Sequence, residues 1–70
     1  MNVNDIFEEQ FCIAQERIDT TYVEILSLLC QAILDEDADL IHKLRVQIDN
    51  LIACQENLNN VKKFYAEHIA

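Results

Sequence analysis

The segment YVEILSLLCQAIL, residues 22–34, is apolar at every position except Glu24, Ser27 and Gln31. Helical spacing puts those three residues in one narrow line and leaves the rest of the cylinder greasy. An amphipathic helix facing one neighbour needs an apolar stripe about 100° wide or slightly more. This segment greatly exceeds that, so it asks for packing on more than one side.

The surrounding chain extends the helical pattern in both directions. Phe7, Phe11, Ala14, Ile18, Ile25, Leu29 and Ala32 recur at gaps of three, four or seven and share one face. Tyr22, Leu26 and Ile33 form a second line beside it. Asn2 or Asn4 can cap this helix, and Asp5, Glu8 and Glu9 suit the positive end of its dipole. After Leu34 comes DEDAD, residues 35–39, with four acids in five positions. Asp35, Asp37 or Asp39 can cap a following helix, so this reads as a turn. One long helix through Ala38 is the alternative.

Beyond it, Ile41, Leu44, Ile48, Leu51, Leu58, Val61 and Tyr65 form the stripe of a second helix. Gln55 interrupts that stripe, Leu40 and Ile52 flank it, and QENLNNVKK (55–63) is more polar and expected to be less buried. Phe64, Tyr65 and Ile69 are expected to close against the start of the first helix. The expectation is an all-α chain of one domain, residues 1–70. It is an antiparallel, coiled-coil-like hairpin with a helix over about 5–34, a turn over about 35–38 and a helix over about 39–66. Its core is to be completed by a partner or a second copy.

Composition agrees. The 70 residues include no Gly and no Pro, and 51% are hydrophobic, which argues against tight β-hairpins and against disorder. The net charge is −8, from 13 acids and 5 bases. Such a surface repels phosphate backbones and anionic lipids, so nucleic acid is a disfavoured partner. The start MNVNDIFEEQ lacks a basic n-region, and no apolar run approaches the roughly 20 residues that span a bilayer. The expected setting is the reducing cytoplasm, without membrane insertion.

Motifs for chemistry are weak. DEDADL begins like a calcium loop, but its sixth and twelfth positions are Leu40 and Val46 where such loops need Gly and Glu. Cys12, Cys30, Cys54, His42 and His68 lack zinc-ligand spacing. Cys30 reads as a small core hydrophobe, with Cys12 and Cys54 semi-buried. A hairpin has no concave interior to position catalytic groups, so neither an enzyme nor a cofactor is expected.

Protein–protein contact is what remains. Tyr22, Val23, Leu26, Leu29, Ile33, Ile41, Leu44 and Ile48 are the candidate partner-binding residues. Burying such side chains is worth about 1.5–3 kcal/mol each. With YVEILSLLCQAIL and parts of LIHKLRVQIDNLI (40–52) as docking faces, the chain resembles the small co-chaperones of type III secretion needle subunits. The resemblance is architectural and spans nearly the whole chain. It implies a bacterial cytoplasmic protein that clamps a TPR-like chaperone and, with it, keeps a needle subunit monomeric before export. The needle subunit itself is a poorer match, because its turn usually contains Pro. AILDEDADLIHKLRVQIDNL (32–51) is also similar to the plasmid-copy-number RNA-binding hairpin, a homodimeric four-helix bundle. Its basic face has no counterpart in the scattered Arg17, Lys43, Arg45, Lys62 and Lys63.

Overall fold

In a computed structural model that describes residues 2–70, two α-helices pack against each other as an antiparallel hairpin: α1, Val3–Leu34, and α2, Ala38–His68. The hairpin is a slender rod, 51 × 19 × 10 Å. No strand occurs among the described residues. α1 starts slightly before its expected first residue and ends at Leu34 as expected, while α2 runs slightly beyond its expected range at both ends.

Each helix starts on a side-chain cap. The Asn2 Oδ1 accepts from the Asp5 N–H at 2.9 Å, and the Asp37 Oδ1 accepts from the Leu40 N–H at 3.1 Å. Each bond satisfies one of the backbone donors that a helix start leaves free. Of the candidate caps, Asn2 and Asp37 therefore serve; Asn4 has another role.

Residues 35–37 reverse the chain without glycine. The Asp37 N–H donates to the Ala32 carbonyl at 3.0 Å, and the Glu36 N–H donates to the Ile33 carbonyl at 3.1 Å. This pair of bonds is a Schellman motif, which requires a left-handed residue at its centre. That residue is Glu36, at φ 55°. A side chain with a Cβ is disfavoured there, and glycine is the usual occupant.

Between the helices runs one seam. On α2 its half-buried or buried positions are Ile41, Leu44, Ile48, Leu51, Gln55, Leu58, Lys62 and Tyr65. Their gaps alternate strictly between three and four, the spacing that keeps one edge of a helix on a neighbour. Val61, assigned to the stripe from sequence, is 51% exposed, and Lys62 takes its slot. A gap of four after Leu58 continues the alternation, and the lysine stem can lie along apolar surface while its ammonium reaches water. On α1 the seam holds Phe7, Phe11, Ala14, Ile18, Ile25, Leu29 and Ala32, as expected. Among the described residues only Ala32, Leu44 and Tyr65 are buried.

An aromatic cluster closes the open end. The Tyr65 ring lies 4.9 Å from Phe7 and 5.5 Å from Phe11, centroid to centroid, and its hydroxyl donates to the Asn4 Oδ1 at 2.7 Å. Phe64 does not share in this closure: it is exposed and stacks on His68 of its own helix at 4.4 Å, while Ile69, the C-cap of α2, is also exposed. A residue next to Tyr65 is turned about 100° away from the seam, so only one of the two aromatics can face α1.

Two predictions follow from the ends of the rod. Replacing Glu36 with glycine relieves the left-handed cost, so Glu36→Gly is expected to stabilise the hairpin by roughly 0.5–1 kcal/mol, read as a raised thermal midpoint. A lowered midpoint contradicts the assigned turn. At the other end, desolvation first, then the carboxylates of Glu8 and Asp5, raise the Tyr65 phenol above its ordinary pKa of 10.0. The fold thus favours the neutral phenol. Its stabilisation is complete below the unfolded value and lost as pH rises through the folded one. Tyr65→Phe should melt below the parent at neutral pH, and the gap should narrow above about pH 10.

Candidate functional site

The seam leaves much of residues 22–34 uncovered. Val23 is 62% exposed, Ile33 55% and Leu34 77%, while Tyr22 and Leu26 are each 37% exposed. Val23, Leu26, Cys30 and Ile33 follow one another at gaps of three, four and three. That is a second heptad line on α1, turned away from the first. Beside it, Ile18, Asp19, Tyr22, Val23, Leu51, Ile52 and Gln55 line an open, mainly apolar groove of about 440 Å³. The groove joins the two helices on one side of the rod and extends the apolar flank of α1 to Ile52 of α2.

Half of the residues proposed from sequence as docking residues lie elsewhere. Leu44 is buried, and Leu29, Ile41 and Ile48 are half-buried in the seam. They hold the hairpin together and face the other helix of the same chain. Tyr22, Val23, Leu26 and Ile33 lie on the free flank, joined there by Leu34 and Ile52. The cysteines also differ from expectation: Cys12, Cys30 and Cys54 are all free and exposed. Cys30 directly follows Leu29, so helical geometry turns it about 100° out of the seam and onto the flank.

The opposite flank is more polar. Helical spacing places Arg17, Thr21 and Leu28 of α1 there, with Lys43, Gln47, Asn50 and Cys54 of α2. Glu24, Ser27 and Gln31 lie along the outer back of α1, all exposed. Exposed apolar side chains also occur away from the flank, Leu28, Leu40, Val46, Val61 and Phe64 among them; what sets the flank apart is that its residues follow one heptad line on α1 beside an apolar groove.

Sequence inspection missed what fixes the register of this side. Gln55, the break in the α2 stripe, meets Gln15 of α1 across the seam. The Gln15 Nε2 donates to the Gln55 Oε1 at 2.7 Å, and the Gln55 Nε2 donates back to the Gln15 Oε1 at 2.9 Å. Asp19 accepts a further bond from Gln15 at 2.9 Å, and Asn59 one from Gln55 at 3.1 Å. Two amides that satisfy each other tolerate burial only in this pairing; a slip along the seam leaves both unmatched. The available signal was that Gln15 and Gln55 sit at corresponding distances from the turn on opposite helices.

No group of three or more His, Cys, Asp or Glu able to hold a metal ion occurs among the described residues, and no helix is long and apolar enough to cross a membrane. Compared with protein-family models, curated proteins and solved structures, the chain matches none of them.

The glutamine pair yields a double-mutant cycle. Gln15→Leu and Gln55→Leu should each destabilise the hairpin, because each leaves one amide at the seam without its partner. The double variant should recover much of the loss, giving a coupling of about 0.5–1.5 kcal/mol in urea melts. Additive single losses would show that the pair is not an interacting unit.

Proposed function

We propose that this chain is a helical-hairpin interaction subunit that works by stoichiometric docking of its apolar flank on another protein. The observation that carries this reading is the second heptad line, Val23–Leu26–Cys30–Ile33, exposed on α1 outside a seam that already occupies α2. Six large side chains of the flank, Tyr22, Val23, Leu26, Ile33, Leu34 and Ile52, are at least one-third exposed. Covering such side chains is worth about 1.5–3 kcal/mol each at full burial. Net stability of a domain this small is of similar size to a few of them. A helix laid along a groove of this kind is a common mode of protein recognition.

The co-chaperone role implied by the family resemblance is a specific form of this proposal. The partner is then a TPR-like chaperone in a bacterial cytoplasm, and the pair shields a secretion needle subunit from premature polymerisation. Helical repeats of that kind present concave surfaces suited to an amphipathic rod. A homodimeric four-helix bundle uses the same flank and is the alternative.

Point charges separate docking from folding. Leu26→Asp and Ile33→Asp should retain the parent's helicity by circular dichroism, because both residues lie outside the seam. They should abolish the complex formed on co-expression with a TPR-like chaperone and a needle subunit, read by gel filtration with light scattering. Leu44→Asp should instead unfold the hairpin. A complex that survives both flank variants overturns the docking reading; a chain that assembles only with itself overturns the co-chaperone form.

A further inference from the structure

Along the flank side of α1, the free surface changes character at a single point. Toward the N-terminus, Asp5, Glu8, Glu16 and Asp19 occupy it, all exposed. From Val23 onward it is Val23, Leu26, Cys30 and Ile33, and no charged residue lies on this line until the turn. Both halves lie on the same side: Asp19 and Val23 line one wall of the groove whose other wall includes Ile52. Lysine and arginine are absent from this face of α1; the matching face of α2 is mixed, with Arg45 and Lys63 beside Asp49 and Glu56.

We infer that the flank receives an amphipathic helix of a different protein, apolar over about three turns and rich in Lys or Arg over the turns that follow. This deepens the docking reading above and rests on it. The apolar half and the groove form the seat, and the acidic half selects the occupant. The seat from Val23 to Leu34 is about 17 Å long, and the acidic stretch from Asp5 to Asp19 adds about 21 Å at 1.5 Å per residue.

A second copy fits this surface poorly. Laid antiparallel over its full length, it sets the acids of each chain against the apolar half of the other, leaving carboxylates desolvated without partners. Laid parallel, it sets acids against acids. Each copy also brings a net charge of −8, which opposes close approach. A basic helix meets neither obstacle, and its cations would be drawn to the acidic half at long range.

Three synthetic helical peptides, each about four heptads long, test the assignment by fluorescence anisotropy with the intact chain. The first has Leu at the contact positions of one half and Lys at those of the other. The second replaces Lys with Glu, and the third replaces Leu with Ser. The Lys–Leu peptide should bind at least about tenfold more tightly than the Glu–Leu peptide at low salt, and added salt should shrink that difference. Glu16→Lys with Asp19→Lys should reverse the order, and Leu26→Asp should abolish binding of both. Equal binding of the Lys and Glu peptides overturns the basic partner while leaving the docking flank standing. Absence of binding by all three, with Leu26→Asp harmless to the co-expressed complex, overturns the flank itself. Self-association tighter than peptide binding overturns the inference in favour of a second copy.

Discussion

Two helices that meet along one line can bury only the side chains near that line. Everything distinctive in this protein follows from that geometric limit. The seam from Phe7–Tyr65 at the open end to Ala32 near the turn takes one stripe from each helix. Within residues 22–34, Ile25, Leu29 and Ala32 fit into it. Val23, Leu26, Ile33 and Leu34 do not, and no third element exists among the described residues to cover them. The exposed flank is thus a consequence of putting a broad apolar belt into a fold with a single internal interface.

The rest of the rod holds that flank in a defined place. At one end the left-handed Glu36 and the Asp37 cap fix where α2 begins. In the middle the Gln15–Gln55 pair opposes slippage, since only one alignment satisfies both amides. At the far end Tyr65 joins Asn4, Phe7 and Phe11. Slender hairpins with so little buried interior have weak resistance to sliding, because hydrophobic burial is nondirectional and tolerates nearby registers. Directional hydrogen bonds across the seam at Gln15–Gln55 and Asn4–Tyr65, together with the fixed turn, supply the specificity that burial lacks.

Much of this was legible in the sequence. The apolar spacing gave both helices, DEDAD gave the turn, and the absence of Gly and Pro agreed with both. The oversupply of apolar residues in 22–34 also foretold uncovered surface. What sequence spacing could not resolve was which of two adjacent stripes turns inward. Leu29 and Leu26 differ little as residues, yet the seam captures one and leaves the other. The same ambiguity shifted the α2 stripe from Lys62 to Val61, where hydrophobicity outweighed strict alternation. Gln55 looked like a defect because its partner lies 40 positions away, beyond any local pattern. Phe64 and Tyr65 were both assigned to the closing contact, although neighbouring residues on a helix cannot face the same way.

The three native cysteines sample three surfaces: Cys30 on the apolar flank, Cys12 on its acidic half and Cys54 on the opposite side, all exposed in the free hairpin. Maleimide labelling of the native complex, with each site quantified by mass spectrometry against the isolated chain, measures directly which side is covered. A partner seated on the flank predicts that Cys30 becomes strongly protected while Cys54 reacts as it does in the isolated chain. Cys30 labelling at its free rate within an intact complex would contradict the assignment of this flank as the docking surface.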